Sequence, residues 1–290
     1  MQTDLHDRYA RIATALAEAS TLIVTAGAGM GVDSGLPDFR GSHGFWNAYP
    51  MYEQLGISFI GAANPEHFNR DPAFGWGFYG HRTNLYRATD PHHGFALLKD
   101  WSQRFNLDTF VVTSNVDGQF QKAGFTEDTI LEVHGSIHHL QCTTPCSSNI
   151  WPHNEEIPVN TETMRAGHIP ACRHCRTTAR PNILMFGDYA WISNRTARQE
   201  ERFDSFLQRN HNRPTVVVEL GAGTAIPTIR FLSERLGEHP DVLVVRINPR
   251  EPSVAPPHIS LPVGALAGLK NIDIFLDGRI PPQKALEKTS

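Results

Sequence analysis

The sequence lacks the features that would place this chain in a membrane or on nucleic acid. No run of apolar residues approaches the ~18 that are needed to cross a bilayer. The formal net charge of −4 leaves no excess of positive charge with which to bind a phosphate backbone. We therefore expect no membrane segment and no direct nucleic-acid partner.

Cysteine is scarce, and all four copies lie between positions 142 and 175. Such a cluster favours a metal site in a reducing compartment over a disulfide framework. The first residues, MQTDLHDRYARIATALAEAS, mix acidic and basic side chains and lack the apolar core of an export signal. We expect a cytoplasmic location.

The 290 residues, 40% hydrophobic and 19% charged, are enough for one large domain that carries a smaller module. Apolar runs predict strands at residues 22–24, 109–113, 130–133, 215–220, 242–247 and 272–276. Helical spacing predicts helices at residues 4–19, 91–103, 118–123, 196–208 and 227–236. This alternation indicates an α/β fold, Rossmann-like, with a mostly parallel sheet and helices on both faces.

The most informative stretch is residues 21–41, TLIVTAGAGMGVDSGLPDFRG, in which a buried strand runs into Gly27-Ala28-Gly29. Small residues at such a turn let backbone N–H groups come close to a diphosphate. The usual dinucleotide fingerprint has a third glycine where Val32 stands. The glycines alone therefore fit a nucleotide site and an ordinary tight turn about equally well.

The longer segment GAGMGVDSGLPDFRG, residues 27–41, resembles the cofactor loop of the sirtuins, the NAD-dependent protein-lysine deacylases. The common form in that family is GAGxSxxSGIPDFRG, so Gly31 stands where serine is usual. TSNVDGQFQKAG (113–124) is similar to the sirtuin TQNIDxLxxxAG segment, and LEVHGS (131–136) to its catalytic histidine–glycine motif. ARPNILMFGD (179–188) resembles RPxVVxFGE, and INPREP (247–252) resembles INxE.

The resemblance covers residues 21–248, most of the chain, and it indicates a divergent member. ELGAGT (219–224) stands where the family has GTS, and Ser114 is a further departure. The implied organisation is an NAD-binding domain at 1–41, 91–135 and 181–290. A helical segment at 42–90, rich in aromatic residues, would fold over the ligand as a lid, and residues 136–180 would form a zinc module.

The cysteine spacing is the strongest signal after this loop. Cys142 and Cys146 form a C-x3-C pair, and Cys172 and Cys175 a C-x2-C pair. Two such pairs can hold one structural Zn²⁺ tetrahedrally, and sirtuins carry a module of this kind. Buried free thiols and a disulfide are the weaker interpretations. The neighbouring histidines are expected to be surface residues: His138, His139, His168 and His174.

The resemblance also implies roles for individual residues. His134 would be the general base toward a ribose hydroxyl, Asn115 would position the ribose or a water, and Asp117 would hold the nicotinamide carboxamide. The residues expected to bind NAD are Gly27, Ala28, Gly29, Asp38, Phe39, Arg40, Ser114, Asn115, Asp117, Gly221, Gly223, Thr224 and Asn248. Met185, Phe186 and Gly187 would contact the acylated protein or peptide substrate, which adds as a strand.

Tyr79 and Arg82 form a Tyr-x-x-Arg pair that looks like the one used by deacylases specific for succinyl, malonyl and glutaryl groups. Residues three apart share a helix face, so both groups can converge on one carboxylate. The alternative is a packed tyrosine and a solvated charge. The sequence thus predicts a sirtuin-type deacylase that releases nicotinamide and O-acyl-ADP-ribose and favours acidic acyl groups.

Three other functions remain open or are disfavoured. An NAD hydrolase or ADP-ribosyltransferase would use the same cofactor site and is the principal alternative. A non-catalytic NAD sensor would have no need for a base such as His134. A dehydrogenase is disfavoured by the missing third glycine.

Overall fold

The computed structural model describes residues 2–38, 41–277 and 279. The helices are α1 (Gln2–Glu18), α2 (Gly29–Val32), α3 (Gly41–Ala48), α4 (Pro50–Gln54), α5 (Phe59–Ala62), α6 (His67–Arg70), α7 (Pro72–Ala88), α8 (His93–Arg104), α9 (Gln119–Lys122), α10 (Asn194–Arg209), α11 (Thr228–Gly237) and α12 (Ala265–Leu276). The strands are β1 (Thr21–Ala26), β2 (Asp108–Thr113), β3 (Ile130–Glu132), β4 (Gly135–Cys142), β5 (Ile150–Pro152), β6 (Val159–Asn160), β7 (Arg165–Ala166), β8 (Ala179–Ile183), β9 (Thr215–Leu220), β10 (Val242–Ile247) and β11 (Ile259–Leu261). A 3₁₀ turn spans Glu127–Thr129.

Six strands form the main sheet, in the order β11-β10-β9-β1-β2-β3. β1 pairs in parallel with β9, and β9 pairs in parallel with β10. Both β1 and β9 are buried along their whole length, as expected of strands that read as unbroken apolar runs. The predicted α/β fold with a mostly parallel sheet is confirmed.

The chain divides into two compact units. Unit 1 comprises Met1–Met30, His92–Val112 and Ser205–Ser290, and unit 2 comprises Gly31–Pro91 and Thr113–Asp204. In unit 1, α11 packs on β9 and β10, and α12 packs on α1 and α8. The three-part domain division expected from the sequence stays a prediction.

Unit 2 contains the short helices α3 to α6, the long helix α7, and two small antiparallel sheets. One sheet has the order β5-β4-β8, and the other pairs β6 with β7. Most ring side chains of residues 42–90 lie in the core of this unit: Phe45, Tyr49, Tyr52, Phe68, Trp76, Phe78, Tyr79 and Tyr86. Most of the aromatic segment therefore packs as core, and its action as a lid stays a prediction.

The strand predicted at 272–276 is wrong, because these residues form the last turns of α12. The buried side chains Ala265, Leu269, Ile272 and Leu276 follow helical steps of three and four. Within the five residues alone, an apolar run looks the same in a strand and in a buried helix. The outer strand is instead β11, which pairs in parallel with β10.

The described part of the chain contains no helix with both the length and the apolarity to cross a bilayer.

Candidate active site

The glycine turn after β1 packs directly against a second glycine turn, the one after β9. The Gly27 N–H donates to the Leu220 carbonyl at 2.9 Å, and the Gly29 N–H donates to the Gly221 carbonyl at 3.1 Å. A Cβ on Gly27 would lie 2.8 Å from the Cα of Ala222, so any larger residue would push the turns apart. Gly27 is therefore required in part because two backbone turns of unit 1 lie against each other, and not only because of a ligand. Ala28 is exposed beside this contact.

Asn248 is fully buried and holds the second turn in place. Its Nδ2 donates to the Ala222 carbonyl at 2.8 Å, and its Oδ1 accepts the N–H groups of Arg250 and Glu251 at 3.0 Å each. The carboxylate of Glu251 in turn accepts the Thr224 N–H and hydroxyl. Three of the residues predicted to bind NAD therefore lie close together: Gly221, Thr224 and Asn248.

Two residues that the sequence analysis did not select complete this arrangement. The buried Arg230 donates to the carbonyls of Ala222 and Glu251, and Glu251 binds Thr224 as described. Glu251 lies within the INPREP motif, so the motif could have indicated it. Arg230 lies on α11, and no pattern in the sequence marks it.

Polar residues follow β2 in unit 2, as predicted. The Asn115 N–H donates to the Thr113 hydroxyl at 3.0 Å, and Asp117 Oδ1 accepts the Gln119 N–H at 3.0 Å. Burial raises the pKa of Asp117 to about 6, although the Gln119 bond and the Arg82 charge favour its ionised form. Asp117 therefore titrates near neutrality, and its carboxyl can act as a donor or as an acceptor.

His134 follows β3 and lies against the end of β2. Burial lowers the pKa of its imidazole below the usual value, and a hydrogen bond with the backbone of Ser114 partly opposes this shift. The imidazole is therefore mainly neutral at pH 7, the form that accepts a proton. Val133 donates to Thr113, and Leu184 donates to the His134 carbonyl. The structure thus brings His134 and Ser114 together within unit 2.

Gly135, the residue after His134, has a φ of +78°. A Cβ at this position would lie 2.1 Å from the carbonyl oxygen of Asn182 on β8. The positive φ and the close contact both require glycine at position 135. Backbone geometry therefore explains the second residue of the His134–Gly135 motif.

The segment with Met185, Phe186 and Gly187 is held by a buried ion pair. Arg180 donates two bonds of 2.8 Å to Asp188, whose carboxylate also accepts the Met185 and Ala190 N–H groups. Met185 is buried, whereas Phe186 and Gly187 are exposed. Arg180 and Asp188 both belong to the ARPNILMFGD motif, and the structure shows that they hold this segment together.

Tyr79 and Arg82 lie together on α7, as the spacing predicted, and both are buried. The guanidinium lies 5.7 Å from the Tyr79 ring centroid, and it donates to the Tyr86 hydroxyl at 3.0 and 2.7 Å. The alternative of a solvated Arg82 is therefore wrong. Tyr86 lies one helical turn beyond Arg82 and is absent from the residues predicted from the sequence.

The four cysteine sulfurs form one cluster. All four Sγ atoms lie within 4.8 Å of one another, with 3.6 Å between Cys142 and Cys175 and 3.7 Å between Cys146 and Cys172. These thiols are free, so the disulfide interpretation is wrong. A tetrahedral Zn²⁺ with Zn–S bonds of about 2.3 Å needs sulfurs roughly 3.8 Å apart, and the cluster fits that metal.

Two of the histidines expected at the surface are instead partly buried. His138 shares a hydrogen bond of 2.8 Å with the Asp117 carbonyl, and His139 also lies on β4. β4 lies between β5 and β8, and burial lowers the pKa of both imidazoles. Among the remaining predicted residues, Asp38 is partly buried and Gly223 follows the second turn, while Phe39 and Arg40 lie outside the described residues.

Comparison with known proteins gives one consistent family. A sequence model described as the Sir2 family matches residues 27–208. An NAD-dependent protein deacylase 1 of Caldanaerobacter subterraneus subsp. tengcongensis is 30% identical over 194 residues, which cover 66% of this chain and 72% of that protein. An NAD-dependent protein deacylase of Leptospira interrogans is 28% identical over 255 residues, covering 88% of this chain and 86% of that protein.

Solved structures share the fold. A Sir2 homologue in complex with NAD superposes with a TM-score of 0.66 at 22% identity, covering 91% of this chain and 93% of that one. A mutant Sir2 homologue in complex with 2′-O-acetyl ADP-ribose gives a TM-score of 0.67 at 22% identity, with 92% and 97% coverage. At this identity the similarity establishes the architecture.

Proposed function

The chain belongs to the Sir2 family, and from this membership we propose that it removes acyl groups from lysine side chains of proteins, with NAD as co-substrate. Acyl-lysine, NAD and one water give nicotinamide, O-acyl-ADP-ribose and free lysine. The relatives with 30% and 28% identity carry the name NAD-dependent protein deacylase, which supports this reaction.

His134 is the observation on which the proposal rests. A general base works best with a pKa near the operating pH and with an unprotonated nitrogen. Burial lowers the pKa of the imidazole and leaves it mainly neutral at pH 7, although the hydrogen bond with the Ser114 backbone partly opposes this shift. We assign His134 the removal of a proton from a ribose hydroxyl.

NAD supplies a ribose carbon from which nicotinamide can leave. Asn115 is assigned to orient the ribose or a water. Asp117 is assigned to hold the carboxamide, because a carboxyl with a pKa of about 6 can donate to its oxygen or accept from its nitrogen. Gly27, Ala28 and Gly29 are assigned to the diphosphate. A cysteine cluster with four thiolates leaves a bound zinc no open position, so the metal would be structural.

The test is a mass-spectrometric assay of the wild type with NAD and a panel of acyl-lysine peptides, run beside His134→Ala. We expect O-acyl-ADP-ribose from the wild type and a loss of at least ~10²-fold in the variant, the scale of a general base. His168→Ala removes an exposed histidine of the zinc module and should keep full activity. Binding of ADP-ribose to both variants controls for folding. Nicotinamide release without peptide would instead indicate an NAD hydrolase.

We further propose that acidic acyl groups, succinyl or malonyl, are removed faster than acetyl. Tyr79 and Arg82 support this preference because they meet on one face of α7. Burial is the largest single influence on Arg82 and acts to lower its pKa, but the combined effect of Tyr86, Tyr79 and Tyr49 raises the pKa above its ordinary value. The Arg82 guanidinium is charged, buried and fixed in place by the Tyr86 hydroxyl. It can therefore form a charge-assisted hydrogen bond with a substrate carboxylate.

Two matched variants test the preference. Tyr79→Phe keeps the ring and removes the hydroxyl, and Arg82→Met keeps most of the volume and removes the charge. Both should lower kcat/KM for succinyl-lysine by about 10-fold or more, the effect of a lost charge-assisted bond. Their kcat/KM for acetyl-lysine should change little. A wild type that removes acetyl faster than succinyl would reject the preference and leave the deacylase assignment intact.

A further inference from the structure

Unit 2 contains a pocket of about 320 Å³ beside the start of α10, which we call the α10 pocket. None of the predicted cofactor, peptide or zinc residues lines it. Three arginines and two acids dominate its charged lining: Arg195, Arg198, Arg202, Glu127 and Asp128. The remaining lining residues are His139, Gln199, Ile150 and Pro152.

The positive charge comes from one face of one helix. Arg195, Arg198 and Arg202 are spaced by three and four residues, so their side chains project in the same direction. Arg195 and Arg198 also lie in the first turns of a 16-residue helix, where the helix dipole adds to a positive potential.

The acids neutralise this face only in part. Glu132, next to the pocket, pairs with Arg195 through Nη2 at 2.6 Å. The other two carboxylates stand in solvent: the Glu127 and Asp128 side chains are 61% and 88% exposed, and they approach Arg195 and Arg202 at 3.6 and 3.8 Å. Pairs this open are weak. Arg198 makes no ion pair with any residue that the structure describes.

The inner wall carries buried polar atoms that lack partners. Arg195 Nη1 and His139 Nδ1 are both buried and have no hydrogen bond to the described protein groups, and the Arg195 side chain is only 11% exposed. A buried polar group without a partner destabilises the protein, so a ligand that supplies the missing hydrogen bond is favoured. Burial, reinforced by the Arg195 charge, lowers the pKa of His139 to about 3, so this imidazole is neutral and adds no charge of its own.

We propose that the α10 pocket binds a small phosphate monoester, whose phosphoryl oxygens are held by the guanidinium groups of Arg195 and Arg198. Arginine presents parallel N–H donors that match phosphate oxygens, and Arg195 Nη1 gains the partner it lacks. The volume equals roughly ten waters at about 30 Å³ each, enough for a phosphoryl group and a short ester chain. Ile150 and Pro152 give that chain an apolar surface.

Calorimetric titration of the full chain tests the site, with inorganic phosphate and glycerol phosphate as probes. ADP-ribose is kept at saturation so that the proposed cofactor site is filled. We expect saturable binding of one equivalent, with glycerol phosphate at least as tight as phosphate. Arg198→Gln should weaken both by about 10-fold or more, the scale of a charge-assisted bond. This exposed residue has no partner in the described structure, so the variant should fold.

Two further variants make the result specific to the pocket. Asp128→Asn removes a repulsive carboxylate at the rim and should tighten binding by about 2- to 5-fold, as expected for an exposed charge. Arg209→Gln, an exposed arginine at the other end of α10, should leave binding unchanged. Absence of saturable binding to the wild type, or equal affinity in all variants, would overturn the site. The measurement involves no turnover, so failure here leaves the deacylase proposal untouched.

Discussion

Arg180 and Asp188 form a two-bond ion pair in which both side chains are fully buried, with N–O distances of 2.8 Å. Arg165 and Asp71 form a pair of the same geometry, also with two bonds of 2.8 Å, but these side chains are 48% and 43% exposed. Both pairs lie in unit 2, so they differ chiefly in their access to water.

This difference predicts unequal costs for the same substitution. Asp188→Asn leaves a buried guanidinium without its counter-charge and should lower the free energy of unfolding by about 3–5 kcal/mol. Asp71→Asn should cost at most about 1 kcal/mol, because exposed pairs are weak and asparagine keeps the N-cap of α7. Chemical denaturation of both variants measures the contrast. Equal losses would mean that burial does not set the strength of the Arg180–Asp188 pair.

Gly135 provides a second contrast, with Gly187 as its control. Both have positive φ, +78° and +65°, but a Cβ on Gly135 would meet the Asn182 oxygen while one on Gly187 would meet nothing within 4 Å. Gly187→Ala should therefore cost about 1–2 kcal/mol, the conformational term alone. Gly135→Ala should cost clearly more and should also displace His134. Denaturation curves that coincide would contradict this account.

Asp117 should make stability depend on pH. Its carboxyl has a pKa of about 6 in the folded protein, against an ordinary value of 3.8, so between these two values the folded state binds more protons than the unfolded state. The free energy of unfolding therefore falls as the pH rises from about 4 to about 6. Asp117→Asn cannot titrate and keeps an oxygen for the Gln119 N–H. As the pH rises from about 4 to about 6, the free energy of unfolding of Asp117→Asn should gain about 2–3 kcal/mol relative to wild type, at 1.36 kcal/mol per pKa unit. A constant difference from pH 4 to pH 7 would show that Asp117 ionises normally.

The cysteine cluster should bind one zinc per chain, and its loss should unfold the surrounding loops. Cys172→Ser replaces a buried ligand, and we expect it to lose the metal and to melt at a lower temperature. Ser147→Ala, beside Cys146 but outside the cluster, should do neither. Elemental analysis and thermal melting measure the two effects. A Cys172→Ser variant with full zinc content would place the metal elsewhere.

Sequence reasoning recovered the elements whose signals are local. The buried strands, the cysteine pairs and the residues after β2 and β3 all follow from runs, spacings and ordered motifs. The family resemblance and the Sir2 match agree over residues 27–208. The predicted site residues themselves remain assignments to be tested.

The missed features depend on contacts between distant parts of the chain. Gly27 faces Ala222 and Gly135 faces Asn182, so part of their need for glycine comes from neighbours that no local pattern reveals. The sequence leaves open whether Arg82 binds substrate or lies in solvent. The hydrogen bond that buries it against Tyr86 appears only in the folded structure. The five residues of α12 were assigned to a strand because a short apolar run does not distinguish the two structures.

β4 starts immediately after His134 and ends at Cys142, and its antiparallel neighbour β8 runs from Ala179, shortly after Cys175, toward Met185. An eight-residue strand spans about 26 Å, at about 3.3 Å per residue. His134 and Cys142 therefore lie at opposite ends of β4, which is paired with β8 at both ends and irregular between Ser136 and Leu140. We therefore expect an oxidant or a heavy metal that attacks only the sulfurs to inactivate the enzyme without contacting His134.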